Sequence, residues 1–104
     1  MEIVGLVYKL LEDLPSSEKY GLRSQISRSA ISMPSNIAEG YSRSSSKDTA
    51  RFFEISVGSA FELETQLLAG QIAGFFSEND IKNLLSKVVE FQGKTNAYRI
   101  KILQ

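Results

Sequence analysis

Residues 18–43, EKYGLRSQISRSAISMPSNIAEGYSR, repeat apolar side chains with a helical period, yet Pro34 stands in the middle of the run. Proline inside a helix removes a backbone hydrogen bond, and its ring collides with the carbonyl one turn earlier, at a cost of ~3 kcal/mol. A chain that keeps it needs tight packing around that turn. Leu22, Ile26, Ala30, Met33, Ile37 and Tyr41 share about 100° of arc at 3.6 residues per turn. Ile31 and Ala38 lie on a second apolar side, with a polar stripe of Gln25, Arg28, Ser32, Asn36, Glu39 and Arg43 between. A helix apolar on two sides touches two sets of neighbours, so contacts beyond its own bundle are expected. Ser16 or Ser17 is the expected cap, with Glu18 in the first turn, where an acid suits the helix dipole.

The rest of the chain reads as three more helices. The first spans about Glu2 to Asp13, with Ile3, Val7, Leu10 and Leu14 on its seam, and Pro15 ends it. Ser42 to Ser46 form a serine-rich joint, short enough to force antiparallel neighbours. Ser45 and Asp48 then resemble a capping box. The third helix runs from about Ser46 to Ala73, its core face set by Phe53, Val57, Ala60, Leu63, Leu67 and Leu68. Its centre, Ser56 to Ala60, is small and contains Gly58. A close backbone approach, by the proline-bearing part of the second helix, is the expected reason. Gly74 marks the stop, Phe75 and Phe76 pack back over the last turn, and Ser77 with Asp80 caps the fourth helix. That helix runs from about Glu78 to Leu103, and its Leu84, Val88, Phe91, Thr95, Tyr98 and Ile102 make a heptad seam.

The fold class that follows is all-α, an antiparallel up-down-up-down four-helix bundle with a shortened first helix, as one domain over residues 1–104. The last three helices are each about 26 residues, or ~39 Å, and the first about half that. Half of the groove on the other three then lacks internal cover, and a partner subunit or other surface is expected to fill it.

Composition excludes more chemistry than it suggests. The chain has no cysteine, so no disulfide and no thiolate metal site, which fits a reducing compartment and a cytoplasmic setting. It has no histidine, the commonest general base and transition-metal ligand. That also excludes the di-metal carboxylate bundle, whose Glu-x-x-His pairs need one. No apolar run nears the ~20 residues of a membrane span, and no signal peptide is visible. Gly70 to Gly74 lack the spacing and strand of a phosphate loop. Ser29, Ser32 and Ser59 have no histidine partner, and no nucleophile elbow supports a Ser-Lys arrangement. Glu62 and Glu64 point about 200° apart on their helix, with Glu54 earlier, and read as solvated carboxylates rather than a magnesium site. Glu39 has two readings: an ion pair with Arg43 four residues on, or a buried hydrogen-bonded clamp at Pro34. The expectation is a non-enzyme with no cofactor and no metal.

Net charge is zero but uneven: −3 over residues 1–18, +4 over 19–51, −5 over 52–80 and +4 over 81–104. Arg23, Arg28, Arg43, Lys47 and Arg51 cluster around the second helix and the start of the third, while Lys94, Arg99 and Lys101 end the fourth. If the second and third helices are antiparallel, Arg43, Lys47 and Arg51 gather at one end, where they can neutralise phosphates without reading bases. The competing reading is a solvated face whose cations suit the helix dipoles. Tyr20 and Tyr41 could stack on bases, but at helical spacing among apolar neighbours they read as core.

Tyr20-Gly21-Leu22, Gln25, Arg28, Pro34 with Asn36-Ile37-Ala38-Glu39-Gly40, Gly58-Ser59 and Glu62-Leu63-Glu64 together resemble a known family. It is the family of four-helix-bundle proteins encoded in 23S rRNA intervening sequences, and the resemblance runs from about Tyr8 to Leu68. It implies an up-down-up-down bundle and a ring-shaped homopentamer, with Pro34, Asn36, Glu39, Gly40 and Gly58 as its structural signature. The accessory protein of diversity-generating retroelements is similar in fold, strongly basic, and binds nucleic acid and a reverse transcriptase. The resemblance supplies no enzymatic activity. This chain departs from it in being neutral, and in a first helix that lacks a turn or more before Val7-Tyr8, so that Met1 reads as a late start or a shortened form. The expected partners are further copies of the chain, RNA or DNA at the basic helix ends, and a protein in the open groove.

Overall fold

A computed structural model describes residues 2–15, 17 and 21–104. Four helices follow one another: α1 Glu2–Leu11, α2 Leu22–Tyr41, α3 Ser46–Ile72 and α4 Glu78–Ile102. Ser16, Glu18 and Tyr20, expected as cap, first-turn acid and signature residue, lie outside the described residues. The expected early start of α2 is corrected. Gly21 is its cap, at φ −100° and ψ −109°, and supplies no side-chain hydrogen bond. Without a Cβ, glycine takes such a non-helical conformation readily, and the helix begins only after it. α1 is also shorter than expected. Glu12, Asp13 and Leu14 follow it with backbone bonds to residues three earlier.

Paired contacts fix the topology. Ser56 meets Met33 and Thr49 meets Gly40; Gln92 meets Glu64 and Arg99 meets Glu54; Lys87 meets Glu2; Arg23 meets Leu14. Where two contacts join the same helices, α2 with α3 and α3 with α4, one number falls as the other rises, so these neighbours are antiparallel. α1 is antiparallel to α4 too, Glu2 and Ile3 lying beside Lys87 and Glu90, and Leu10 and Asp13 beside Asp80 and Leu84. α3 packs on α2 and α4, and α1 packs on α2 and α4 from the opposite side. α1 therefore fills the groove between α2 and α4 for its own length, ~15 Å of the ~40 Å that α3 spans at 1.5 Å per residue.

The main core lies in the half that α1 covers, where Val7, Leu11, Ile26, Ala30, Met33, Leu63, Leu67, Ile81 and Val88 are all buried. Both expected turns form. Gly74, at φ +86°, closes α3: its N–H bonds to the Gln71 carbonyl and the Phe75 N–H to the Gly70 carbonyl, the two bonds of a Schellman motif. Phe76 folds back against Gly70, where a Cβ would lie 2.5 Å from its ring. Ser77 and Asp80 exchange the two bonds of a capping box.

α2 runs through Pro34, and α3 is bonded to the turn just before it. Buried Ser56 donates its hydroxyl to the Met33 carbonyl at 2.7 Å. Asn36 donates to the carbonyl and hydroxyl oxygens of Ser32, whose hydroxyl lies 2.7 Å from that of Ser59. Two of these bonds cross between α3 and α2, and at about 1 kcal/mol each they offset part of the cost of the proline.

The small centre of α3 therefore serves α2, but through serines. Gly58 is corrected: it is exposed, and a Cβ there would meet nothing within 4 Å. The glycine that permits close approach is Gly40, where a Cβ would sit 2.7 Å from the Phe53 ring and 3.2 Å from the Thr49 carbonyl oxygen. Tyr41, Leu68 and Tyr98, expected in the core, are exposed. Tyr41 and Tyr98 border the groove that α1 leaves open. Leu68 lies on the outward side of α3.

Candidate nucleic-acid interface

Antiparallel packing brings the end of α2, the start of α3 and the end of α4 to one pole of the bundle. Phe53, beneath it, stacks on Tyr98 with ring centroids 5.7 Å apart and takes the edge of Tyr41 at 5.3 Å. Arg43, Lys47, Arg51, Arg99 and Lys101 belong to these segments, and Lys94 lies about two turns back along α4.

Several of these cations are already engaged. Arg43 pairs with Glu39 at 2.6 Å and covers the Phe52 ring at 4.7 Å. This decides between the two readings of Glu39: it is an exposed helical ion pair, not a clamp at Pro34. Lys94 pairs with Glu90 at 3.1 Å. Arg99 donates to Asn96 and lies 4.0 Å from Glu54. Exposed pairs of this kind are worth about 0–1 kcal/mol, so they yield readily to a phosphate. Lys47, Arg51 and Lys101 are exposed and have no ion-pair partner among the described residues. Arg99 and Lys101 sit in the last turn of α4, where a cation suits the carbonyl end of a helix. Lys47 and Arg51 occupy the first two turns of α3, the opposite end of a dipole, and only Asp48 offsets them. Dipole stabilisation accounts for the first pair and not for the second.

Arg23 and Arg28 stand apart from this pole. The Arg23 guanidinium donates to the Leu14 carbonyl at 2.9 Å, tying the segment after α1 to the start of α2. Its role is in the fold. Arg23→Gln is expected to lower stability by about 1.5 kcal/mol, the low end for a charged hydrogen bond, in urea unfolding followed by circular dichroism. Nucleic-acid affinity should stay unchanged. Arg28 is exposed on the outer side of α2, beside Tyr8 and Ile31.

Beside the basic pole runs the open part of the α2/α4 groove. Its deeper end, about 250 Å³, is lined by Ile3, Met33, Pro34 and Phe91 among others. Its outer end is lined by Ile37, Tyr41, Phe53, Phe91, Thr95 and Tyr98. The Tyr41 phenol is held above its ordinary pKa, first by a hydrogen bond with Tyr98 and then by burial. Sequence periodicity assigned these residues to the core. The signal that could have placed them at a groove mouth was the mismatch in helix length. The sequence reading also missed Ser29 and Gln92 as buried residues, because polar side chains fall outside an apolar pattern.

No helix among the described residues is long and apolar enough to cross a membrane. A search of curated proteins finds no match. The description of one family, "23S rRNA-intervening sequence protein", matches residues 1–97. A match over residues 1–97 covers most of the chain, and the chain belongs to the 23S rRNA-intervening sequence protein family.

Proposed function

We propose that this protein is a non-enzymatic oligomeric scaffold that meets RNA or ribonucleoprotein through the basic pole of its bundle. The observation that carries the reading is the convergence of Arg43, Lys47, Arg51, Arg99 and Lys101 at one end, with Lys47 and Arg51 lacking an ion-pair partner among the described residues and set against the dipole of their own helix. Such a pole binds phosphates without selecting bases. The absence of histidine and cysteine from the chain leaves few groups for catalysis and favours a scaffold. The family resemblance suggests a ring of five copies, which would multiply a weak pole into an avid surface.

Titration of a labelled structured RNA at two salt concentrations tests the reading. Affinity should fall steeply with salt. Lys47→Glu with Arg51→Glu should weaken binding at least about tenfold and flatten the salt slope by about 2, while the helical signal is unchanged. Undetectable binding at low salt, or a double variant that binds like the parent, overturns it.

The open groove favours a second reading, a protein-interaction adaptor. A Tyr41 that is 64% exposed over a buried Phe53 is the kind of apolar slot that accepts one face of an amphipathic helix. In that case the RNA titration stays flat.

A further inference from the structure

α2 and α3 also meet along a polar line. Its first rung is closed: the Ser59 hydroxyl donates to the Ile55 carbonyl and lies 2.7 Å from the Ser32 hydroxyl. Because the two helices are antiparallel, a turn back along α2 stands level with a turn forward along α3. The next rung is therefore Arg28 with Glu62, and the one after it Gln25 with Gln66. These two rungs are open, and a cleft of about 500 Å³ lies along them.

The groups in this cleft are left without one another. Arg28 and Glu62 both line it, both are exposed, and neither has an ion-pair partner among the described residues. Ser29, also in its lining, is 5% exposed and so belongs to the floor. Gln66 lines it too, and the side-chain oxygen of Gln66 is buried with no hydrogen-bond partner among the described residues. A buried acceptor left unpaired is costly, and a donor that reaches it removes the cost.

We propose that this cleft binds a small zwitterion of the α-amino-acid type, its carboxylate on Arg28 and its ammonium on Glu62. Charge selects this class over simpler ions. A lone anion on Arg28 would meet the Glu62 carboxylate, and a lone cation on Glu62 would meet the Arg28 guanidinium. A molecule that carries both charges close together meets each in the favourable sense, through charge-assisted hydrogen bonds. The Ser29 hydroxyl is a further donor for the carboxylate, and the orphan Gln66 oxygen a further acceptor for the ammonium. The rest of the lining is amide and hydroxyl, from Gln25, Ser32 and Ser59, which suits an uncharged polar side chain on the ligand. No aromatic side chain lines the cleft, so a nucleobase has no plate to stack on. The cleft lies ~22 Å along α2 from Arg43 at 1.5 Å per residue, so it neither needs the basic pole nor blocks it.

Nitrogen-15 NMR of the full chain, titrated with L-glutamine, reads the outcome. The side-chain amide signals of Gln25 and Gln66 and the backbone amides of Ser29 and Ser59 should shift and saturate in the millimolar range or below. N-acetyl-L-glutamine lacks the ammonium, and L-glutamine amide lacks the carboxylate. Each should bind about tenfold more weakly or worse, for the loss of one charged hydrogen bond. The variants should cross with these two ligands. Glu62→Gln should weaken L-glutamine about tenfold without weakening N-acetyl-L-glutamine, and Arg28→Gln should do the same without weakening the amide. Both residues are exposed, so the helical circular dichroism should stay intact. If a variant does unfold, the two capped ligands on the parent chain still decide whether both charges are needed. Shifts that never saturate with L-glutamine overturn the proposal, whether Arg28 and Glu62 close on each other or water alone fills the cleft. A capped ligand that binds as well as L-glutamine overturns the zwitterion, and binding that survives both variants overturns the site.

Discussion

Phe53→Ala is expected to lower the stability of the bundle by about 3 kcal/mol, the lower end of the range for deleting a buried phenylalanine. The ring is 1% exposed although it lies in the half of the bundle that α1 does not cover. Its shelter comes from Tyr41 on one edge, Tyr98 on one face and the Gly40 backbone. Removing it forfeits the transfer energy of the ring and two aromatic contacts worth about 0.5–1.5 kcal/mol each. Collapse of the two exposed tyrosines into the space should recover part of this, which is why the estimate stays low in its range. Urea unfolding followed by circular dichroism, at one fixed protein concentration, measures it. A 3 kcal/mol loss in a chain of this size lowers the melting temperature by roughly 12–24 °C. A loss below about 1 kcal/mol would mean that the open half contributes little to the fold. In that case the exposed tyrosines would be free to act as a docking surface at no structural cost.

The sequence was most legible where local chemistry alone decides the outcome. Gly74 at the end of α3 and the Ser77–Asp80 box need only their own neighbours, and both are found as expected. The antiparallel arrangement followed from the short Ser42–Ser46 joint. Legibility failed where the answer depends on which helix covers which. Tyr98 keeps heptad spacing and Tyr41 helical spacing, but α1 begins too far along the bundle to cover them, so the same pattern that buries Val88 leaves them at the surface. Gly58 and Gly40 show the same limit. Both sit inside helices, and only the position of the neighbouring helix tells which one makes room for another side chain. The basic pole was readable as a charge block, but its internal bookkeeping was not. Whether Arg23 serves a carbonyl or a phosphate depends on where Leu14 ends up.

These distinctions bear on what the family signature does. Pro34, Asn36 and Gly40 all lie at the α2/α3 seam: a proline next to the carbonyl that Ser56 holds, an amide that holds Ser32, and a gap that Phe53 fills. Glu39 holds Arg43 outside that seam. Pro34 also lines the open groove, beside Lys87, Glu90 and Lys94. The signature is then a description of how two helices are joined, and it fixes the relative height of Arg43 on α2 and of Lys47 and Arg51 on α3. Changes in this seam should act on the pole by displacing its cations, not by removing them.

Gly40→Val should be the most damaging single substitution in that seam, at about 3 kcal/mol or more. A Cβ at this position lies 2.7 Å and 2.9 Å from two atoms of the Phe53 ring and 3.2 Å from the Thr49 carbonyl oxygen. The ring is confined by Tyr41 and Tyr98, and the backbone cannot back away freely because the Thr49 hydroxyl donates to the Gly40 carbonyl at 2.8 Å. Overpacking a confined site costs typically 1–3 kcal/mol for an added methyl group or two, and valine brings a branched side chain with little helix propensity in return. Gly40→Ala is the gentler probe: its clash is offset by up to ~1 kcal/mol of helix propensity, so a net loss of about 1–2 kcal/mol is expected. The decisive measurement is a double-mutant cycle. Phe53→Leu alone should destabilise, but in combination with Gly40→Ala the loss should be smaller than the sum by about 1 kcal/mol, because the smaller side chain gives way to the new methyl group. Strict additivity would show that Gly40 is not kept for the sake of Phe53. A positive coupling would establish the contact that sets how closely α2 and α3 approach, and with it the spacing of the cations they carry to the pole.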